Sequence, residues 1–331
     1  MIRIDERGLV MNKKERVYAV LKGELPDRIP GGFWMHFPPE AAFGSAAVKA
    51  HLEFFERAKT DICKVMTEHI YPYQDSIHSA KDWENVPYYA EDADFIQKQA
   101  EIIRSVAAQC PDAPVVATIH GVVASASHAL LGCPMYDRVG RHAQIYHLRL
   151  EPEAVGGAYM RIAQTLCGMV RQAIKAGAEG IYYAALGGES DVFTDEEHST
   201  FIAPADRMVI QAAYDAGAKF VILHMCKPKV RLTRFVDYPC DIVNWGIEES
   251  GISLAQGRTL FPGKVLLGGF SSHHGSLIDG DRTRITADIR QIIQEAGKHK
   301  LMFGSDCTLP GSLPYEKIAM VSDISAEMAM E

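Results

Sequence analysis

The sequence predicts a single (β/α)8 barrel of the α/β class, and three observations carry that prediction. Eight short apolar or β-branched runs alternate with longer stretches of helical periodicity along the 331 residues. Three junctions, KAGAEGIYY, DAGAKFVIL and EAGKHKLMF, place a glycine after a helical stretch and before an apolar run. Glycine tolerates the left-handed conformation that ends a helix, so each junction reads as helix, cap, strand. The runs themselves are nearly continuous in apolar residues, as strands of a parallel sheet covered by helices are. An open doubly wound sheet is the second choice. No glycine-rich phosphate fingerprint follows any run in a strand-to-helix context, which weakens its dinucleotide-binding form.

In order, the strand candidates are 29–34, 61–66, 114–119, 180–184, 220–224, 241–245, 265–270 and 301–305. Residues 13–22 ahead of them read as a helix stopped by Gly23 and Pro26. Residues 1–28 are therefore expected to form an N-terminal helical extension over the barrel's bottom or side. No low-complexity tract, long linker or short repeat interrupts the pattern, so one domain spanning 1–331 is the economical reading.

Composition narrows the function classes. An apolar fraction of 47% with 23% charged residues is that of an ordinary soluble domain with ample material for a core. A net charge of −8 without any long Lys/Arg run argues against nucleic acid as a partner. No apolar run is long enough to span a bilayer, and the N-terminus is charged rather than apolar, so neither membrane nor secretory signal is expected. The cysteines, Cys63, Cys110, Cys133, Cys167, Cys226, Cys240 and Cys307, are odd in number and lack a framework spacing. Free thiols in a reducing, cytoplasmic setting follow, most of them structural. A homodimer is allowed.

Chemistry in such a barrel sits where strands end. The first strand leads to Trp34 and His36, the second to Glu68 and His69, the third to His120 and the fourth to the Gly-Gly loop carrying Glu189. The fifth ends in VILHMC, the sixth in Asn244 and Trp245, the seventh in SSHHG with His273 and His274, the eighth in Asp306 and Cys307. His224 and Cys226 are two apart and so share a face. Either residue alone reads as ordinary core. Strands five and eight, however, face each other across the axis, so Cys307 can reach the pair. Three N/S ligands on rigid strand ends with a fourth position open are the arrangement of a catalytic zinc. Glu189 is a candidate for that fourth position, His273 and His274 for proton transfer. Trp34, His36, His120, Asn244 and Trp245 are candidates to line a substrate site.

The stretches LKGELPDRIPGGFW, ALLGCPMYDR, IKAGAEGIYY, FIAPADRMVIQAAYDAGAKFVILHMC, LLGGF and FGSDCTLPGSLPYEKI resemble the uroporphyrinogen decarboxylase superfamily over nearly the whole chain. Within it, the H-x-C…C set is similar to the zinc motif of methylcobamide:coenzyme M methyltransferases and related corrinoid-dependent enzymes. The resemblance implies a barrel, a zinc on His224, Cys226 and Cys307, and a methyl group exchanged with the cobalamin of a separate corrinoid protein. True decarboxylases carry an arginine-rich segment after the first strand, to hold a substrate with many carboxylates. This chain reads GGFWMHFPPE there, with no arginine, which argues against porphyrinogen as substrate. The expected function is therefore a zinc-dependent methyltransferase acting on a coenzyme M-like thiol or a methoxy- or methylamine-type compound. The alternatives are a metal-independent decarboxylase or lyase, and a non-catalytic barrel that binds a small molecule or a corrinoid protein.

Overall fold

The computed structural model describes residues 3–5, 8–131 and 138–330. Its parallel strands are β1 (Gly31–Gly32), β2 (Cys63–Val65), β3 (Val115–His120), β4 (Gly180–Ala185), β5 (Phe220–Met225), β6 (Ile242–Trp245), β7 (Val265–Phe270) and β8 (Leu301–Ser305). Each strand from β2 to β8 pairs in parallel with the next, and β8 pairs with β1. The sequence-predicted (β/α)8 barrel is what forms. Gly177, Gly217 and Gly297, the glycines of the three diagnostic junctions, all have positive φ, at 107°, 98° and 74°.

β1 and β2 are shorter than the runs 29–34 and 61–66, and the reason is chemical. Pro30 has no N–H to give a ladder. The Gly31 N–H goes instead to the Asp61 carboxylate at 2.8 Å, leaving the Asp61 N–H to Gly31 carbonyl bond, 2.7 Å, to join the two strands. Asp61 is fully buried and also accepts from Arg16 at 2.7 Å and from both terminal nitrogens of Arg28 at 2.8 and 2.9 Å. Arg16 forks onto Asp27 at 2.6 and 2.8 Å. The seam of the barrel is thus held by a paired ionic cluster at its N-terminal end.

Helix Lys13–Lys22 starts with an Asn12–Glu15 capping box and stops at Gly23, which is left-handed at φ 83°. Its Val17 and Val20 join the barrel's inner cluster beside Val116, Phe220, Ile242 and Val265, residues near the starts of their strands. The extension therefore plugs the bottom. A short antiparallel pairing of Arg3–Asp5 with Gly8–Val10, not foreseen from sequence, precedes it.

Helices surround the strands and bury the outward-facing side chains, including Val221, Leu223 and Val243, in the larger cluster. Cys63, Cys110, Cys167, Cys226, Cys240 and Cys307 are all free thiols; Cys133 lies outside the described residues. Among the described residues, no helix is long and apolar enough to cross a membrane.

Candidate metal centre

Strand parity builds the site. On β5, Phe220 and Ile222 face the lumen while Val221 and Leu223 face the helices, so His224 continues the inward row. The fold brings His224, Cys226 and Cys307 together, with one ligand atom from each lying within 4.8 Å of the others. His224 Nε2 is 3.7 Å from Cys307 Sγ. His224 and Cys226 are 3% exposed, while Cys307 is partly exposed and opens the set on one side.

The ring of His224 is oriented by Asn244, its register partner on β6. The Asn244 amide nitrogen donates to the carbonyls of Leu267 and Ser305 at 2.8 and 2.9 Å. Its oxygen must then face His224 Nδ1, 2.5 Å away, so that nitrogen is the one carrying the proton. Nε2 is left with its lone pair toward the thiols, the state a metal requires. Asn244, expected to contact substrate, is in the fold the residue that aims His224.

The thiols are prepared in the same sense. The Cys226 thiol donates to Cys307, which holds Cys307 well below the ordinary thiol range, with His224 adding to the effect. The same bond, together with burial, pushes Cys226 well above that range. The first proton is therefore easily lost from the pair, and a dication would release the second, which the two sulfurs share. Two sulfurs and one preset imidazole on a common face suit zinc.

A model of the uroporphyrinogen decarboxylase (URO-D) family matches residues 63–328. The chain belongs to the uroporphyrinogen decarboxylase family. Its fold is shared with a methyltransferase from Methanosarcina mazei, at 17% identity and a TM-score of 0.75, covering 96% of this chain and 99% of that one. It is shared also with a B12-independent methionine synthase from Shewanella sp. W3-18-1, at 13% identity and a TM-score of 0.60, covering 91% and 97%. A comparison with curated protein sequences finds no match.

In this family barrel the remaining predicted site residues fall in several places. Glu189 is buried and stands outside the metal-ligand set. Its oxygens face Arg141 Nε at 2.7 Å and the Gly187 N–H at 2.9 Å. Gly187 itself has φ 92° and no room for a side chain beside Ile202 and Val123. The loop is pinned further by the Ser190 N–H to Lys229 carbonyl and Arg231 N–H to Gly188 carbonyl bonds. His273 and His274 are exposed, and His274 pairs with Glu248 at 2.7 Å. His36 is half exposed and pairs with Glu68 at 2.6 Å. His120 lies against His128, with ring centroids 5.1 Å apart, and burial depresses its basicity. Trp34 is in the inner cluster. Trp245 is not: it packs outward on Phe261 and donates to the Ile252 carbonyl at 2.9 Å. Asn244 and Trp245 are adjacent on one strand, so only one could face inward.

Sequence reasoning missed three residues beside the site. Tyr182 stacks on His224 at 5.1 Å between centroids. Glu249 accepts the Lys227 N–H at 2.7 Å, and burial raises its pKa. Lys64 lies inside the barrel. Parity in DICKVM would have found it, because Lys64 shares a face with Ile62 and Met66.

Proposed function

We propose that the chain is a zinc-dependent methyltransferase. In this reading it exchanges a methyl group between a corrinoid protein and a small molecule, either a coenzyme M-like thiol or a methoxy- or methylamine-type compound. The observation that carries the reading is the His224–Cys226–Cys307 set with its preset imidazole. Zinc bound there would act as a Lewis acid, favouring the ionised form of a substrate thiol or polarising a methoxy oxygen.

The chain's own residues supply the rest. Asn244 keeps the His224 tautomer, and Cys307 is the thiol of the pair that ionises first while Cys226 holds its proton. Lys227 places a cation beside the thiols, its basicity raised first by Cys226. Tyr182 stacks on the imidazole and steadies its plane. The set suits either direction of transfer.

Family membership and the likeness to a Methanosarcina methyltransferase agree with this reading. Because the Shewanella neighbour is a B12-independent enzyme, the corrinoid is tested directly. That test is metal analysis of the purified protein, followed by absorbance spectroscopy on mixing with methylated and with reduced corrinoid protein. The expected result is about one zinc per chain and a corrinoid spectrum that changes only when the small-molecule substrate is present. Absence of zinc with release of carbon dioxide would move the chain to the decarboxylase reading. Zinc with no effect on the corrinoid would leave a zinc site serving other chemistry.

A further inference from the structure

Lys64 is the unexplained residue of this barrel. It sits in the middle of β2, it is 2% exposed, and its side chain lies in the lumen. Its ammonium nitrogen is 4.1 Å from the ring centroid of Tyr182 and 5.0 Å from that of Trp34. Its hydrogen bond goes to the Met66 thioether, 3.0 Å away, a weak and uncharged acceptor. Among the described residues no carboxylate pairs with it. The negative groups it feels are Cys307 first and then Glu68, and Glu68 is turned onto His36.

Buried lysines without partners are rare because desolvating an ammonium costs several kcal/mol. Burial accordingly pushes the Lys64 pKa down to about 7. Aromatic faces recover part of that cost but do not replace a counter-ion. The neighbouring strands repeat the shortage: buried Trp34 Nε1 and buried His120 Nδ1 have no hydrogen-bond partner either. The Lys64 ammonium and the Trp34 indole N–H are donors short of acceptors, and so are complementary to a ligand that brings acceptors and negative charge.

The position of these donors says which part of a ligand they would meet. Tyr182 touches Lys64 with its ring and stacks on His224 with the same ring. The ammonium is therefore no farther from the imidazole than those two ring distances together. That separation is within the length of a small organic molecule.

We propose that Lys64 is the anion anchor of the substrate site. It pairs with the carboxylate or sulfonate of a small molecule whose methyl-bearing atom lies at the His224–Cys226–Cys307 set. The far end of that molecule rests on the proposed function; the charged end rests on Lys64 alone. One lysine serves one anionic group, which also separates this site from one built for a substrate with many carboxylates.

The test compares acids with their uncharged counterparts. Mercaptopropionate is paired with mercaptopropanol, and para-methoxybenzoate with para-methoxybenzyl alcohol. Each is titrated calorimetrically into zinc-loaded and zinc-free protein, as wild type and as Lys64→Met. Wild type should prefer the acid of at least one pair by about tenfold or more, and Lys64→Met should lose that preference while keeping its zinc. As a measurement that needs no variant, the lysine side-chain nitrogen resonances of wild type are followed by NMR. The Lys64 signal should move with the acid and not with the alcohol. The proposal is overturned if acid and alcohol bind wild type alike, or if Lys64→Met keeps the preference. It is overturned equally if neither acid binds or moves the Lys64 signal. Failure of the thiol pair alone, or a protein without zinc, counts against the proposed function, and the methoxybenzoate arm then decides for Lys64.

Discussion

Two places in the barrel treat buried charge in opposite ways. At the closed end, Arg16 and Arg28 are matched by Asp27 and Asp61, and every side-chain contact among them is between 2.6 and 2.9 Å. Inside the lumen, Lys64 has two aromatic faces and a thioether for company. The first arrangement is finished within the chain and joins β1 to β2 where the ladder is thin. The second is unfinished. The comparison teaches that in this barrel matched charges mark architecture, and the unmatched one marks a place where something else binds.

The comparison can be broken or sharpened by substitution. The largest effect is expected at the metal set. Cys226→Ala or Cys307→Ala should abolish zinc retention, read by metal analysis after gel filtration, with circular dichroism unchanged because barrel packing does not depend on the mouth. Retention of stoichiometric zinc in either variant would remove the site.

Next comes the closed end. Asp61→Ala takes the carboxylate from Arg28 and leaves Arg16 with Asp27 alone, so unfolding in urea should require about 3–5 kcal/mol less than wild type. The zinc content of the folded fraction should stay the same. A loss under about 1 kcal/mol would show that the cluster is not the clasp of the seam.

Asn244→Ala tests the intermediate case, a polar group matched so that it can serve a ligand. It should weaken zinc about 10–100-fold in a chelator competition by freeing the His224 ring. Unchanged affinity would mean that the tautomer is set some other way.

The smallest effect on stability is expected at Lys64. Since Lys64 has no partner to strand, Lys64→Met should be neutral or mildly stabilising near neutral pH. The pH dependence carries a sign. The folded-state pKa lies below the ordinary lysine value of 10.5, at about 7. Folding therefore expels the proton, and wild-type stability should fall as pH drops from above 10.5 to about 7, then level off. Lys64→Met should lack this slope. Denaturant titrations across that range check it, and a slope retained in the variant would assign it to another group.

Much of the site was legible before the fold was known. H-x-C at the end of one apolar run and Cys307 after another sufficed to place three candidate ligands on one mouth, because strand ends in a barrel converge. Other assignments failed to follow from position alone. Trp245 ends a strand as Asn244 does, but parity turns it into the helix layer. His274 sits in a conspicuous loop yet pairs with Glu248 at the surface. Lys64 drew no notice because one charged residue in a short strand looks like noise until the strand is known to be buried on both faces.

What the sequence determined by itself is what local rules govern: alternation of runs, glycine caps, the parity that puts His224 and Cys226 together, and the absence of arginine after the first strand. These depend on residues close in the chain, where backbone geometry leaves few choices. What only the tertiary structure decided is which distant groups meet. The Asn244 amide faces His224 because Leu267 and Ser305 occupy its nitrogen; Glu189 meets Arg141; Lys64 meets Tyr182 and Trp34 and no acid. Electrostatic character depends on distance and burial, and neither is written in local order. A lysine in β2 is only a lysine until the barrel closes around it.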